Sequence, residues 1–193
     1  IRAVINLTIQ EYGLNCTNAF SKTFLLSDER PKRTSILPED IKGIQALCLY
    51  IADERRLLVA LISDTGMRLS EALGLVWGDI HLDHKYPHIN LKPHPWRRLK
   101  TPSSKRLIPL VGAALNAINL MHCQRSNRFL FHSYASEEGC NGNSCSATVN
   151  KWLKQYSNGA VVHSFRHSFR DRLRNSGVQS EMIDQLGGWS KKV

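Results

Sequence analysis

Residues 161 to 173 read VVHSFRHSFRDRL, and this stretch decides how the chain is interpreted. In an α-helix, residues three and four apart are neighbours, so the segment would present one basic face and one apolar face. The basic face carries His163, Arg166, His167 and Arg170, and the apolar face carries Phe165, Phe169 and Leu173. Surface helices usually interleave both signs of charge, whereas this face has almost no acid. The pattern indicates an external anion as ligand, although a solvated basic helix over an ordinary core would produce the same sequence.

The charge of the whole chain favours the anion hypothesis. Over 193 residues the formal charge is +10 at pH 7, and the isoelectric point is about 9.6. A spread excess of lysine and arginine favours a polyanionic partner, nucleic acid before membrane. Ribosomal and other soluble basic proteins share this property, so the charge alone does not decide the function. A guanidinium nonetheless matches a phosphate with two parallel hydrogen bonds, and a nearby histidine can donate another or move a proton.

The cellular location follows from what the sequence lacks. It shows no apolar run of membrane-spanning length and no secretory signal, so we expect a soluble protein of the cytoplasm. The five cysteines form an odd, scattered set that fits a reducing compartment. Zinc bound by Cys140 and Cys145 would need two further ligands, and His122 and His132 have no recognisable spacing to them. We therefore expect no metal site.

The apolar pattern predicts an α+β fold that is mainly helical, with a small antiparallel β-sheet or hairpin. Helices are predicted at residues 2–12, 38–51, 56–63, 67–75, 113–122, 147–156, 161–173 and 180–186. Strands are predicted at residues 89–92, 106–110 and 129–131, and a polar loop at residues 133–146. We interpret residues 1–14 as the end of a preceding helical domain, 15–35 as a linker and 36–193 as the main domain. Since the chain opens on Ile1 and closes on Lys191-Lys192-Val193, we expect both ends to be cut from a longer protein.

A basic loop separates the two longer predicted strands, at residues 96–105. Together with the basic helix, it supplies the side chains that we expect to contact a polyanion. These candidates are Arg97, Arg98, Lys105, Arg106 and Arg170. The alternative is structural, because charged residues at the edge of a sheet also prevent aggregation between strands.

Four motifs resemble those of one known family. Residues 65–71 read TGMRLSE, residues 100–110 read KTPSSKRLIPL, residues 163–167 read HSFRH, and residues 186–190 read LGGWS. In this order they resemble the first-arginine motif, the lysine-bearing β-hairpin, the His-x-x-Arg box and the Leu-Gly-His/Trp element of the tyrosine recombinase, or phage integrase, family. The resemblance covers roughly residues 36–193 and implies the tyrosine recombinase catalytic-domain fold. Residues 1–14 then resemble the end of the helical core-binding domain that precedes it.

The resemblance implies a site-specific recombinase that cuts and rejoins double-stranded DNA without a metal or nucleotide cofactor. A tyrosine hydroxyl attacks a phosphodiester, forms a 3′-phosphotyrosyl bond and releases a 5′-hydroxyl. Charge then grows on the non-bridging phosphate oxygens, where fixed and always charged arginines are suitable. Arg68 and Arg166 are the candidates for this role. Lys100 is the candidate general acid for the leaving 5′-oxygen, with Lys105 and Lys92 as alternatives.

Four further residues receive roles from the same resemblance. His163 would hydrogen-bond the phosphate or assist the attacking hydroxyl, and Trp189 would donate its indole N–H to an oxygen or support the site. Glu71 is better suited to orient Arg68 than to act as a base, and His167 is as consistent with packing as with function. The family also implies self-association on DNA, as a tetrameric synapse, and a place in the nucleoid of a bacterial host. A prophage or another mobile element is the expected source.

The nucleophile departs from the family pattern. It should follow shortly after the Gly-Trp element, but every tyrosine of the sequence precedes the His-x-x-Arg box: Tyr12, Tyr50, Tyr86, Tyr134 and Tyr156. We therefore expect the nucleophilic tyrosine to lie outside these residues. Two alternative functions stay open, a DNA-binding module without catalysis and a type IB topoisomerase, which shares the chemistry. The presence of both arginines and the lysine favours an enzyme over a binding module.

Overall fold

The computed structural model describes residues 1–21, 35–157 and 159–189, which fall into two compact units, Ile1–Lys32 and Arg33–Val193. The first unit contains helix α1, Arg2–Glu11, in agreement with the predicted helix to within one residue. Asn18 closes the segment after α1, because its Nδ2 donates to the carbonyl of Arg2 at 3.1 Å. Most of the predicted linker and the basic end of the chain lie outside the described residues, so the predicted domain boundaries stay a prediction.

Three helices open the second unit. Helix α2 spans Pro38–Ile51, α3 spans Glu54–Thr65, and the short α4 spans Leu69–Leu73. Helix α3 lies at the centre of the core, since every residue from 57 to 63 is buried. It ends at Gly66, whose φ of 60° is the left-handed conformation that glycine adopts without steric penalty.

A three-stranded antiparallel sheet follows, in the order β1-β2-β3. Its strands are β1, Ile80–His81, β2, His88–Leu91, and β3, Arg106–Pro109. Ile89 pairs with Ile108 and Leu91 pairs with Arg106, and all four of these residues are buried. The strands predicted at residues 89–92 and 106–110 are therefore confirmed. The connection between β2 and β3 carries the predicted basic loop.

The rest of the unit adds four helices and a small hairpin. These elements are α5, Gly112–Cys123, β4, Ala135–Ser136, β5, Gly139–Cys140, α6, Gly142–Leu153, α7, Ser164–Asn175, and α8, Ser180–Gly187. Helix α7 is the predicted amphipathic helix. It buries Phe165 in the main core, and the preceding Val162 joins the same core. Ser168 fixes the helix to the start of the unit, because its Oγ accepts from the backbone N–H of Ile36 at 2.7 Å.

The structure differs from the prediction between residues 129 and 146. Residues 129–131, predicted as a strand, are buried but form a turn with a single bridge between Phe129 and Val76. The residues predicted as a polar loop contain the hairpin β4-β5 and the first turn of α6. Helix α6 begins five residues earlier than predicted, at 142 instead of 147, because the side chain of Asn141 accepts from the backbone N–H of Ser144 at 3.2 Å.

The five cysteines differ in exposure. All five have free thiols, and two of them are buried in the core. Burial raises the pKa of Cys48 to about 12 and the pKa of Cys145 to about 11, so both thiols stay protonated at neutral pH. Among the described residues, no group of three or more His, Cys, Asp and Glu side chains could hold a metal ion. None of the helices in the described ranges is long and apolar enough to cross a membrane.

The central position of α3 predicts how much stability is lost when a leucine side chain of this helix is shortened to alanine. Leu61 is 0% exposed, whereas Leu107 on β3 is 60% exposed. Leu61→Ala should lower the free energy of unfolding by about 2–5 kcal/mol, because it removes buried methyl groups and leaves a cavity. The matched change Leu107→Ala should alter the free energy of unfolding by no more than about 0.5 kcal/mol. Urea denaturation followed by circular dichroism measures both values, and equal losses would contradict the placement of α3 at the centre of the core.

Candidate active site

Arg166 lies at the centre of the site, in the first turn of α7, and is 3% exposed. Its Nη1 donates to the carbonyl of Gly66 at 2.5 Å, and its Nη2 donates to the carbonyl of Gly187 at 2.5 Å. Arg166 therefore joins the end of α3 and the end of α8 to α7. Within the described part of the chain, these side-chain hydrogen bonds go to main-chain carbonyls and not to a carboxylate. Its positive charge is not cancelled by a direct ion pair there.

Arg68 precedes α4 and is tied to Glu71. Nη1 of Arg68 donates to Oε1 of Glu71 at 2.6 Å and to Oγ of Ser104 at 3.0 Å. The backbone N–H of Arg68 also donates to Oε2 of Glu71 at 3.1 Å, which closes the first turn of the helix. The Arg68 side chain is 20% exposed and that of Glu71 is 2% exposed. The buried acid thus orients an arginine that still reaches the surface, as the spacing of the motif predicts.

Trp189 packs against the basic face of α7. Its ring centroid lies 4.3 Å from Cζ of Arg166 and 5.0 Å from Cζ of Arg170, a distance at which cation–π attraction is effective. Arg170 also pairs with Asp184 of α8 at 3.1 Å. The face therefore does have an acid, which comes from another helix and which the local sequence could not reveal. The tight approach needs Gly187, because a Cβ there would lie 1.6 Å from the Trp189 ring.

Arg106 is not on the surface, contrary to its predicted place among the polyanion contacts. It is 8% exposed and points inward from β3. Its Nη2 donates to Oε2 of Glu71 at 3.1 Å, its Nη1 to the carbonyl of Ser104 at 2.8 Å, and its Nε to the carbonyl of Leu186 at 2.9 Å. All these partners are protein groups, so Arg106 holds the sheet, α4 and α8 together instead of facing DNA.

Arg97 requires the same correction. It is 2% exposed, and its Nη2 donates to Oδ2 of Asp79 at 3.2 Å. Its Nη1 donates to the carbonyl of Glu71 at 3.1 Å. A buried guanidinium with these partners cannot reach a phosphate on the surface, so we remove Arg97 and Arg106 from the proposed DNA contacts.

The other predicted residues lie around this centre. Arg98, Lys100 and Lys105 are exposed on the connection between β2 and β3. His163 is partly buried at the start of α7, and its ring centroid is 5.2 Å from that of the exposed His167. The structure thus brings the two arginine motifs and the tryptophan into one connected group. It leaves the lysines on an exposed loop beside that group.

Two residues of the site escaped the sequence analysis. Asp79 is fully buried and accepts from Arg97, while Nε2 of His94 lies 2.9 Å and Nζ of Lys92 3.9 Å from its Oδ1. A signal was present, because an acid between the apolar residues of a Trp-Gly-Asp-Ile run is unusual. Ser104, the partner of Arg68, gave no signal, since serine is ordinary in a polar loop.

The sequence matches the model of the phage integrase family over residues 35–192. The chain belongs to the phage integrase family. A resolvase of Escherichia coli strain K12 is 26% identical over 199 aligned residues, which cover 88% of this chain and 71% of the resolvase. Tyrosine recombinase XerD of Lacticaseibacillus casei is 24% identical over 179 residues, which cover 84% of this chain and 58% of XerD.

Solved integrase structures show the same fold. The Tn1549 transposon integrase, in complex with circular intermediate DNA, superimposes with a TM-score of 0.69 at 17% identity, over 100% of this chain and 69% of that one. A lambda integrase tetramer bound to a Holliday junction gives a TM-score of 0.66 at 16% identity, over 98% of this chain and 56% of that one. The tyrosine recombinase catalytic-domain fold predicted from the four motifs is confirmed.

The charged groups of the integrase site shift one another's pKa. Burial alone would raise the pKa of Glu71, but the charge of Arg106 and the hydrogen bonds from Arg106 and Arg68 outweigh it and lower that pKa. Burial, and then the charge of Arg68, lower the pKa of Arg166 to about 10. Glu71 is therefore ionised and Arg166 is protonated at neutral pH. The site therefore carries a net positive charge, and the Glu71 carboxylate is its buried negative group.

The lowered pKa of Glu71 predicts how the stability of this integrase domain depends on pH. Because the folded pKa lies below the ordinary value of 4.5, ionised Glu71 stabilises the fold above that pH. This contribution is lost as the pH falls through the lowered folded value. Glu71→Gln should therefore reduce the free energy of unfolding by about 3–5 kcal/mol at neutral pH, since it leaves buried Arg106 without a counter-charge.

Urea denaturation at about pH 7, 5 and 3.5 tests this dependence, and the difference between wild type and Glu71→Gln should shrink towards the lowest pH. Glu137→Gln is the matched control, because Glu137 pairs with Arg128 on the surface and both side chains are 58% exposed. Glu137→Gln should lower the free energy of unfolding by less than about 1 kcal/mol at any pH. A difference for Glu71→Gln that stays constant with pH would contradict the assigned ion pair.

Proposed function

We propose that this chain is the catalytic domain of a site-specific DNA recombinase that cuts and rejoins double-stranded DNA through a 3′-phosphotyrosyl intermediate. We also propose a prophage or another mobile element as its source. One observation carries the proposal: Nη1 of Arg166 binds the carbonyl of Gly66, which lies two residues before Arg68, and so brings the two arginine motifs together. The charge of Arg68 accordingly contributes to lowering the pKa of Arg166. Two like charges held side by side favour an anion that binds both.

The charge balance of the site supports a phosphate as that anion. Glu71 is shared between Arg68 and Arg106, so one carboxylate faces two guanidinium groups. Arg166 adds a third positive charge, and its hydrogen bonds described above go to carbonyl oxygens. A phosphodiester under attack gains negative charge on its non-bridging oxygens, and preorganised donors stabilise that charge most strongly in a buried site.

Double-stranded DNA is the proposed partner. The net charge of +10 favours a polyanion, and family relatives include a tyrosine recombinase and an integrase solved with DNA. Arg98, Lys105 and Arg170 remain the candidates for contacts to the DNA backbone. We propose self-association on DNA as a tetrameric synapse, by analogy with the lambda integrase tetramer on a Holliday junction. The nucleoid of a bacterial cell is the proposed location.

Lys100 is the proposed general acid. It is exposed on the loop four residues before Ser104, the partner of Arg68, so an approach to the 5′-oxygen of a bound phosphate is open to it. Lys92 is a weaker candidate, because its Nζ lies 3.9 Å from the Asp79 carboxylate and is held towards that acid. Lys105 is exposed and remains the alternative.

Two further side chains support the reacting phosphate in this proposal. The Trp189 ring lies 4.3 Å from the Arg166 guanidinium, which favours support of the arginine over direct donation to an oxygen. His163, at the start of α7, would hydrogen-bond the phosphate or assist the attacking hydroxyl. The tyrosine that attacks lies outside residues 1–193 in this proposal, and it would dock in its own site or in that of a neighbouring copy.

The proposed role of Arg166 predicts a separation between cleavage and binding. Arg166→Lys in the full-length recombinase should lower the rate of strand cleavage by about 10²–10³, because a lysine cannot donate to the phosphate with the same fork of N–H groups. Duplex binding should stay within about tenfold, since it is spread over many phosphates. Cleavage of a radiolabelled nicked substrate and a gel-shift titration measure the two quantities.

Arg174→Lys is the control for this experiment, because Arg174 is exposed in the last turn of the same helix. It should leave both cleavage and binding unchanged. Parallel losses of binding and cleavage in Arg166→Lys would identify Arg166 as a docking contact and contradict its catalytic role. Normal cleavage by that variant would contradict the proposed function itself.

The position of the nucleophile gives a second prediction. The 193-residue chain should bind DNA yet form no SDS-stable adduct, because a phosphotyrosyl bond needs a hydroxyl within attack distance of the held phosphate. A longer chain that carries the tyrosine should form the adduct on a nicked suicide substrate. Mixing the two chains, with both arginines mutated in the longer one, distinguishes delivery in cis from delivery in trans. An adduct formed by the 193-residue chain alone would place the nucleophile among its own residues and contradict the assignment.

A further inference from the structure

The connection between β2 and β3, residues 92–105, carries Lys100, and we name it the lysine loop. Lys100 itself is exposed, whereas Arg97, three residues before it, and Ser104, four residues after it, are buried. Fixing both buried anchors limits the positions that the six residues between them, 98–103, can take. The bonds that hold the anchors therefore decide where the ammonium group of Lys100 can reach.

Arg97 is the anchor before Lys100, and its side chain is 1% exposed. Nη1 donates to the carbonyl of Glu71 at 3.1 Å, which connects the lysine loop to the helix behind Arg68. Nη2 donates to Oδ2 of Asp79 at 3.2 Å and to the carbonyl of Lys92, the first residue of the loop, at 2.6 Å. The guanidinium of Arg97 thus joins the start of the lysine loop to Asp79 and to α4.

The turn that leads to Arg97 is held by the same acid. Its backbone is closed by two hydrogen bonds of 3.0 Å between His94 and Arg97. Nε2 of His94 lies 2.9 Å from Oδ1 of Asp79, and the His94 ring stacks on Trp96 with centroids 4.6 Å apart. Asp79 is fully buried, so both ends of the turn are fixed to one point in the interior. The direction in which the chain leaves Arg97 is then set.

Ser104 is the anchor after Lys100. Its Oγ accepts from Nη1 of Arg68 at 3.0 Å, and its carbonyl accepts from Nη1 of Arg106 at 2.8 Å. Oγ1 of Thr101 lies 3.0 Å from the same hydroxyl and draws the residue after Lys100 towards the site. The arc between the anchors contains only residues 98–103, and its two ends are bound to the α4 region that carries Arg68 and Glu71.

We propose that Arg97 is a positioning residue for Lys100, which directs the ammonium group towards the leaving oxygen by fixing the lysine loop to Asp79 and to the carbonyl of Glu71. This inference rests on the proposed function, in which Lys100 is the general acid. The tyrosine hydroxyl loses its proton to His163 or to water as its oxygen bonds to phosphorus. The bond from phosphorus to the 5′-oxygen breaks at the same time, and Lys100 gives its proton to that oxygen. Proton transfer needs a heavy-atom distance of about 2.6–3.2 Å, so a small displacement of the loop would slow this step.

A glycine beside Arg97 allows the anchor to be displaced without removing its charge. A Cβ on Gly74 would lie 2.7 Å from Cβ and Cδ of Arg97, so Gly74→Ala pushes the arginine aside. The backbone of Gly74 has a φ of −83°, which alanine adopts freely, so the change acts on the contact and not on the turn. Gly78→Ala is the matched control, because a Cβ there meets no atom within 4 Å.

The experiment compares cleavage of two nicked substrates by the full-length recombinase, one with the natural 5′-oxygen and one with a 5′-bridging sulfur. Sulfur leaves as a thiolate and needs no proton, so it bypasses the general acid. Gly74→Ala and, independently, Arg97→Lys should cleave the oxygen substrate roughly 10- to 100-fold more slowly than wild type. Both should recover to within about threefold on the sulfur substrate, with DNA binding close to wild type. Both should still unfold in one cooperative thermal transition, at a lower temperature than wild type, because the contacts of a buried guanidinium are disturbed. Gly78→Ala should match wild type on both substrates.

Lys100→Ala separates the inference from the proposed function. If Lys100→Ala is not rescued by sulfur, Lys100 is not the general acid, and the proposed function loses that assignment together with the inference. If Lys100→Ala is rescued but neither Gly74→Ala nor Arg97→Lys is, Arg97 does not act through Lys100, and the inference alone is overturned. Full activity of both variants on the oxygen substrate overturns it as well. If Gly74→Ala and Arg97→Lys both lost DNA binding, Arg97 would support the fold as a whole, and the inference would again be overturned.

Discussion

The arrangement of the site depends on the buried carboxylate of Glu71. An unpaired carboxylate in the interior would cost several kcal/mol, so the fold must bring positive groups to it. Arg68 comes from the same helical turn, and Arg106 comes from the sheet and also holds the carbonyl of Leu186. One negative charge therefore sets the relative positions of α4, β3 and α8. The first arginine of the site is oriented by the same contact that holds the fold together.

The buried arginines differ in whether an acid neutralises their charge. Arg97 and Arg106 are each paired with a buried acid, and their hydrogen bonds are made to protein groups. Arg166 is equally buried, but the partners that the structure gives it are two carbonyls and an aromatic ring. Since carbonyls orient a guanidinium without neutralising it, the unbalanced charge is concentrated beside Arg68. Arg97 and Arg106 are thus neutralised inside the protein, whereas Arg166 keeps a positive charge that no carboxylate of the described residues pairs directly.

Two glycines leave room for aromatic side chains next to the site. A Cβ on Gly66 would lie 2.4 Å from the Phe169 ring, and a Cβ on Gly187 would lie 1.6 Å from the Trp189 ring. Both glycines also supply the carbonyls that Arg166 binds. The absence of a side chain at Gly66 leaves room for Phe169 of α7, and the absence of one at Gly187 leaves room for the Trp189 ring two residues later. The main chain at both glycines then provides the acceptors. Close packing and the orientation of Arg166 are two results of the same glycines.

Helices α3 and α7, strands β2 and β3 and the family motifs could be predicted from the sequence. These features depend on local periodicity and on residues within one helical turn, such as Arg68 with Glu71. Which basic residues face inward could not be predicted in this way, because it depends on contacts between distant parts of the chain. Arg97 binds an acid 18 residues away and Arg106 an acid 35 residues away, so no local pattern distinguishes them from exposed Arg98. The same reason applies to residues 129–146, whose turn and hairpin depend on a bridge to Val76 and on the Asn141 cap rather than on composition. Long-range pairing of buried charges, which a linear pattern does not record, separates the arginines that build the site from those that are free to contact a ligand.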